Sequence, residues 1–215
     1  MTKVKICGVR TAAHGTAAAE AGADLIGLVF APSRRQVTAD EAKAVVTAIK
    51  KSDTDVQTVG VFVKETAAAI NATADEAGLD WVQLSGDEPA ALGRELERPV
   101  VMVVHVGGET SKVLARRLDA MEKELKGHQH LFLLDTHTKH AYGGTGTAFD
   151  WDAAKFAAGR FPVIVAGGLT PENVTDAIEA LHPWGVDVST GVETDGDKDA
   201  DKIREFIRKV REYDA

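Results

Sequence analysis

Two positions in this chain place an acid–base side chain at the end of an apolar run. Cys7 closes Val4-Lys5-Ile6-Cys7, is followed by Gly8, and is the single cysteine among 215 residues. Asp135 closes Leu131-Phe132-Leu133-Leu134 in the same way. A thiol ionises near pH 8.5 and becomes a base or nucleophile once its proton is gone. A carboxyl ending an apolar run is partly desolvated, which raises its pKa and suits it to general-acid work. Each has a plainer alternative. A lone cysteine is often a small buried hydrophobe, and an aspartate after a strand can simply cap a loop. On residue type alone, the role of Cys7 stays open between the two.

A second group of residues suggests an anion site. Gly167-Gly168 follows one apolar run, and Asp187-Val188-Ser189-Thr190-Gly191 ends another. Glycines let a backbone approach a phosphate closely, and N–H groups at a helix start complete such a site. Ser189 and Thr190 add hydroxyl donors. The alternative for Gly167 and Gly168 is a tight turn and nothing more. In Pro32-Ser33-Arg34-Arg35-Gln36-Val37, one arginine can clamp a carboxylate through two parallel hydrogen bonds, although loop arginines are often merely solvated. Lys5 and Asp187 are expected to form an ion pair, with Asp187 also within reach of a sugar hydroxyl. His137 and His140 raise the question of a metal. The glycine run Gly143-Gly144-Thr145-Gly146 in the same segment is a poor frame for a rigid ligand set, so no metal is expected.

The elements that must hold these groups alternate along the whole chain. Buried-strand runs fall at Val4–Cys7, Leu25–Phe30, Thr58–Val63, Trp81–Leu84, Val100–His105, Leu131–Leu134, Val163–Ala166 and Val186–Val188. Between them, apolar residues recur at three and four spacing, as in amphipathic helices. Thr38 with Glu41 is a capping-box pattern. Thr170-Pro171 reads as a cap residue before a first-turn proline, and Asp199 as the cap of a last helix with the stripe Ile203, Phe206, Ile207 and Val210. Strict strand–helix alternation fits either an open doubly wound sheet or a closed barrel. Eight units and no G-x-G-x-x-G in the first turn favour a (β/α)8 TIM barrel, with the site at the C-terminal ends of the strands. One domain over residues 1–215 is expected, since no linker or composition shift divides it. On the first strand Lys3, Lys5 and Cys7 share the inward face, while Val4 and Ile6 face the helices.

Composition removes whole classes of function. With 25 Lys+Arg against 33 Asp+Glu the net charge is −8, and the sequence pI is near 5.4, a poor match to nucleic acid. No apolar run approaches the roughly 18 residues of a membrane span. Strand-like sequence from Lys3 onward leaves no space for a signal peptide, so the expected location is the cytoplasm. One cysteine excludes an internal disulfide framework and a cysteine-based zinc site.

The motifs taken in order resemble a known family. They are Lys5-Ile6-Cys7-Gly8, Gly27-Leu28-Val29-Phe30 leading to Ser33-x-Arg35-x-Val37, Val82-Gln83-Leu84 and Leu134-Asp135-Thr136. Gly143-Gly144-Thr145-Gly146 with Phe149-Asp150-Trp151 follows. Ala166-Gly167-Gly168-Leu169 with Pro171-Glu172-Asn173-Val174, and Asp187-Val188-Ser189-x-Gly191-Val192-Glu193, complete the set. Together they resemble the phosphoribosylanthranilate isomerases of tryptophan biosynthesis over nearly the whole chain. The resemblance implies a cofactor-free Amadori rearrangement of a small phosphorylated substrate. It implies Asp135 as general acid, Cys7 as general base, Arg35 on the anthranilate carboxylate and Asp187 on a sugar hydroxyl. It further implies Gly144, Gly146, Gly167, Gly168, Ser189, Thr190 and Gly191 around the phosphate. A monomer is expected rather than a homodimer.

One position departs from the pattern. The family usually reads Gln-Leu-His-Gly where this chain has Gln83-Leu84-Ser85-Gly86. Serine carries no positive charge, which bears on affinity or range more than on reaction type. Three rivals fit less well. A related barrel isomerase of histidine biosynthesis resembles a pair of aspartates, with Asp in place of Cys7. A ribulose-phosphate epimerase needs metal ligands, and a non-catalytic phosphate-binding barrel has no reason to keep Cys7 opposite Asp135. At an arginine- and phosphate-lined mouth, the Cys7 thiol is expected to be more acidic than usual and open to solvent.

Overall fold

A computed structural model describes residues 1–106, 109–135 and 151–215. Each of the eight apolar runs forms a parallel strand: β1 (Lys3–Cys7), β2 (Leu25–Val29), β3 (Gln57–Phe62), β4 (Trp81–Leu84), β5 (Val100–His105), β6 (His130–Asp135), β7 (Val163–Ala166) and β8 (Gly185–Val188). They close into a barrel in chain order, β8 pairing back onto β1. Helices alternate with them: α1 (Ala12–Glu20), α2 (Ala39–Lys50), α3 (Ala67–Ala77), the short α4 (Ala90–Gly93), α5 (Ser111–Glu124), α6 (Trp151–Ala158), α7 (Val174–Leu181) and α8 (Ala200–Tyr213). Among the described residues, no helix is long and apolar enough to cross a membrane.

The two faces of each strand do different work. Val4, Ile6, Ile26, Leu28, Val82 and Phe132 point outward into the layer shared with the helices, where Phe206, Ile203 and Val210 of α8 are wholly buried. Each such side chain contributes roughly 1.5–3 kcal/mol by leaving water. Inside, Leu25, Val59, Trp81, Val101, Leu131 and Ile164 fill the barrel. The inward parity expected for Lys5 holds. It is 1% exposed and lies opposite Asp187 in the β1–β8 register.

Caps decide where helices begin. Thr38 and Glu41 form the reciprocal capping box of α2. Asp199 accepts from the N–H groups of Asp201 and Lys202 at the start of α8. The Thr170-Pro171 signal marks a turn rather than the helix start. Asn173 Oδ1 accepts from Thr170 N at 2.8 Å and its Nδ2 donates to Gly168 O at 3.0 Å, so α7 starts only at Val174. After β8 a 3-10 turn (Thr190–Val192) leads into an antiparallel hairpin, β9 (Glu193–Thr194) and β10 (Asp197–Lys198), an element beyond the eight strand–helix units expected.

Candidate active site

Cys7 ends β1, one step above Lys5 on the same inward face. Lys5 Nζ lies 2.9 Å from Asp187 Oδ1 on β8, giving the expected ion pair. Burial works to lower the Lys5 ammonium, but the Asp187 carboxylate and the neighbouring Cys7 outweigh it and hold the amine charged. The thiol departs from expectation. Cys7 is only 9% exposed, and its pKa lies above the ordinary value rather than below. Burial raises it most, Lys5 pulls it down, and Asp187 raises it again. Strands on both sides wall the sulfur in, and the arginine expected to acidify it is paired elsewhere.

Asp135 ends β6 across the mouth, its side chain 28% exposed. The apolar strand therefore delivers it to a half-open rim. Its register partner at the end of β5 is His105, whose Nδ1 stands 3.7 Å from Asp135 Oδ2. No motif in the sequence singles out His105. Its signal was position alone, as the last residue of a strand adjacent to the acid.

The two glycine loops meet. Gly167 and Gly168 both take positive φ after β7. A Cβ on Gly191 would stand 1.9 Å from the carbonyl oxygen of Leu169, so glycine is required there for the loops after β7 and β8 to pack on one another. The expected helix N-terminus beyond β8 is displaced by the hairpin. Ser189, Thr190 and Gly191 lie in and before the 3-10 turn, and the first donors of α8 are already taken by Asp199. Gly144, Gly146, His137 and His140 lie outside the described residues.

Both loop arginines turn toward the hairpin, so neither is merely solvated. Arg35 Nε donates to Glu193 Oε1 at 2.7 Å, and its Nη2 to Glu193 Oε2 at 3.0 Å and Thr190 Oγ1 at 3.0 Å. Arg34 Nη2 donates to the same carboxylate. Lys198, on β10, donates from Nζ to Glu193 Oε1 at 2.9 Å and to Ser189 O at 2.8 Å. Burial works to raise the Glu193 carboxyl, but the hydrogen bonds and charges of Arg35 and Lys198 prevail and hold it at about 2. Burial in turn depresses the Lys198 ammonium against the pull of Glu193.

Ser85, the departing position, accepts from Gln83 Nε2 at 2.9 Å. Gln83 Oε1 is the one buried side-chain polar atom without a hydrogen-bond partner among the described residues. A hydroxyl-bearing ligand could supply that missing donor.

The mouth thus collects a thiol, a carboxyl, two glycine loops and an arginine-rich cluster, which suits proton transfer on an anion held at both ends. Residues 4–209 match the family model for N-(5'-phosphoribosyl)anthranilate (PRA) isomerase. An N-(5'-phosphoribosyl)anthranilate isomerase of Dehalococcoides mccartyi is 43% identical over 215 residues, covering 100% of this chain and 98% of the relative. A crystal structure of monomers generated from the dimeric phosphoribosylanthranilate isomerase of Thermotoga maritima superposes with a TM-score of 0.81 at 34% identity, over 99% of this chain and 100% of that one. A second structure, of a phosphoribosylanthranilate isomerase in complex with reduced 1-(o-carboxyphenylamino)-1-deoxyribulose 5-phosphate, gives the same TM-score of 0.81, identity of 34% and coverages of 99% and 100%. On this full-length agreement of profile, sequence and barrel, the chain belongs to the N-(5'-phosphoribosyl)anthranilate isomerase family.

Proposed function

We propose that the protein converts N-(5'-phosphoribosyl)anthranilate into 1-(2-carboxyphenylamino)-1-deoxyribulose 5-phosphate, with Asp135 and Cys7 as the proton-transfer pair. The observation that carries this assignment is their placement at the C-terminal ends of β6 and β1, on opposite sides of one barrel mouth. Asp135 gives a proton to the furanose ring oxygen while the C1–O bond breaks and the nitrogen lone pair forms a Schiff base. Cys7, as thiolate, then takes the proton from C2. The resulting enolamine is protonated at C1 and loses its C2 hydroxyl proton, leaving the ketone. Only protons and bonding pairs move, so the sequence calls for no metal or organic cofactor.

The surrounding residues fit the remaining parts of this substrate. Arg35 is placed for the anthranilate carboxylate, and Gly167, Gly168, Ser189, Thr190 and Gly191 for the phosphate. Asp187 and the Gln83 amide oxygen offer acceptors to sugar hydroxyls. Lys5 offsets part of the cost of ionising a buried thiol. Residues 1–215 serve as one catalytic unit, cytoplasmic and monomeric. In support of the monomer, the large apolar side chains left exposed among the described residues, Met1, Val113, Phe156 and Tyr213, are spread over separate elements.

The test is turnover of phosphoribosylanthranilate by the purified protein, followed as loss of anthranilate-type fluorescence. Turnover at enzyme-limited rates is expected. A folded protein that leaves the fluorescence unchanged refutes the proposal.

A further inference from the structure

We propose that Glu193 is the positioning residue for Arg35, fixing the guanidinium before the aromatic carboxylate arrives; this rests on the role of Arg35 proposed above. Glu193 stands outside both the acid–base pair and the phosphate loops, yet its side chain is only 4% exposed. A buried carboxylate persists only when well paired, and this one is held by three cations at once. Arg34, Arg35 and Lys198 all reach its two oxygens. Three positive groups around one negative leave the cluster net positive, as an anion-recognising rim requires.

The geometry of the Arg35 contact is the reason to assign positioning rather than charge balance. Nε and Nη2 both meet Glu193, at 2.7 and 3.0 Å, one on each carboxylate oxygen. A two-point contact of this kind fixes the plane of the guanidinium as well as its distance. Thr190 adds a third point at 3.0 Å from Nη2. The stem is fixed too. A Cβ on Gly8, which has φ +80, would lie 2.4 Å from Arg35 Cδ. The arginine therefore runs across the residue immediately after Cys7, and its head group is set relative to the base. Lys198 holds the carboxylate from the other side and joins it to the backbone of Ser189. Glu193 thereby links the carboxylate end of the site to the phosphate end. An arginine anchored in advance loses little conformational freedom on binding, which improves affinity without any new contact to the ligand.

The test compares two ligands on four proteins. The ligands are the reduced product analogue, with its ring carboxylate, and the same compound with a phenyl ring lacking it. The proteins are the wild type, Glu193→Gln, Arg35→Ala and the double variant. Glu193→Gln is expected to weaken the carboxylate-bearing analogue about ten-fold, on the order of one charge-assisted hydrogen bond. The other analogue should change less than about two-fold, KM should rise, and kcat should hold within about three-fold. In the Arg35→Ala background, Glu193→Gln should add nothing, since it acts through that arginine. Equal weakening of both analogues, additive losses in the double variant, or no effect of Glu193→Gln would each overturn the positioning role. If Arg35→Ala itself treats the two analogues alike, the carboxylate role of Arg35 fails and the inference fails with it. Should Glu193→Gln not fold, Glu193→Asp, which keeps the charge and withdraws it by one methylene, enters the same comparison with the same expected signs.

Discussion

Lys5 is the strongest influence opposing the burial that raises the Cys7 pKa, and removing that charge should move it measurably. Lys5 Nζ and Cys7 Sγ stand 3.0 and 2.9 Å from the point where a Cβ on Gly27 would lie. They are therefore within about 6 Å of each other, where unit charges interact by roughly 3 kcal/mol at an effective dielectric near 20. At fixed pH that is a roughly 100-fold effect on the thiolate fraction. Lys5→Met removes this attraction and leaves both burial and Asp187, so the thiol should become still less acidic. The other cation acting on it, Lys198, is unchanged. The assay is the pH dependence of Cys7 alkylation, which reports one site because the chain has 1 cysteine. At fixed pH the thiolate falls roughly 100-fold while its intrinsic nucleophilicity climbs, so labelling should slow about ten-fold. Turnover should fall with it. Because Lys5→Met strands the Asp187 carboxylate, folding is checked by near-UV circular dichroism, and Asp187→Asn gives an independent arm with opposite sign. Removing that negative charge should lower the thiol pKa and speed labelling. Folded variants whose alkylation midpoints match the wild type would refute the electrostatic account.

Asp135→Asn should fold normally and lose at least about 100-fold in kcat; a near-normal kcat would assign the acid elsewhere. Arg35→Ala should raise KM, whereas Arg34→Ala, whose side chain is 52% exposed, should change it by less than about two-fold; a reversal would mean the arginines exchange roles. Gly191→Ala forces the Leu169 carbonyl aside, which should destabilise by roughly 1–3 kcal/mol in denaturant titration and raise KM together; an unchanged protein would refute the loop contact. Glu193, held at about 2 from an ordinary 4.5, contributes stability that is full above pH 4.5 and is lost as pH falls toward 2. The maximum is roughly 3 kcal/mol. Acid unfolding of Glu193→Gln should lack this component, and an identical acid profile would argue against the pairing.

The barrel was legible because apolar runs report it directly. Val4–Cys7 and Leu131–Leu134 lengthen by one residue at their first or both ends, to Lys3–Cys7 and His130–Asp135, since ladder pairing continues past the last apolar side chain. The positions of Cys7, Asp135 and Asp187 follow from strand ends and parity. What did not follow was environment. The thiol packs against Gly27 of one neighbouring strand and feels the charge of Asp187 on the other, which residue type at position 7 does not encode. The hairpin was hidden by polarity. Glu193-Thr194-Asp195-Gly196-Asp197-Lys198 reads as a solvated loop, yet Asp195-Gly196 is a two-residue hairpin signal. Both residues take positive φ, 52 and 89, as a type I′ turn requires. Reading that turn would have set Glu193 opposite Lys198 and exposed the carboxylate that gathers the arginines.

The hairpin also explains how a chain of net charge −8 can present a site to a substrate bearing both a phosphate and a carboxylate. Charge summed over a surface is a weak guide when the field at the mouth is set by a few groups in a low-dielectric wall. Two ion clusters occupy the β8–β1 seam at different depths. Inside, Lys5 and Asp187 pair one to one, the lysine closed to water and the aspartate open only at the mouth, and both act on the thiol. At the rim, the unequal cluster of Glu193 with Arg34, Arg35 and Lys198 keeps surplus positive charge. A balanced pair in the interior avoids the cost of an isolated buried charge, whereas an imbalance is tolerable at the rim, where water and an incoming anion can share it. In the proposed mechanism the same seam tunes a base below and holds a carboxylate above, with Gly8 as the point of contact between the two. Adding bulk at Gly8 should consequently disturb Arg35 and Cys7 together, a coupling that neither cluster considered alone would impose.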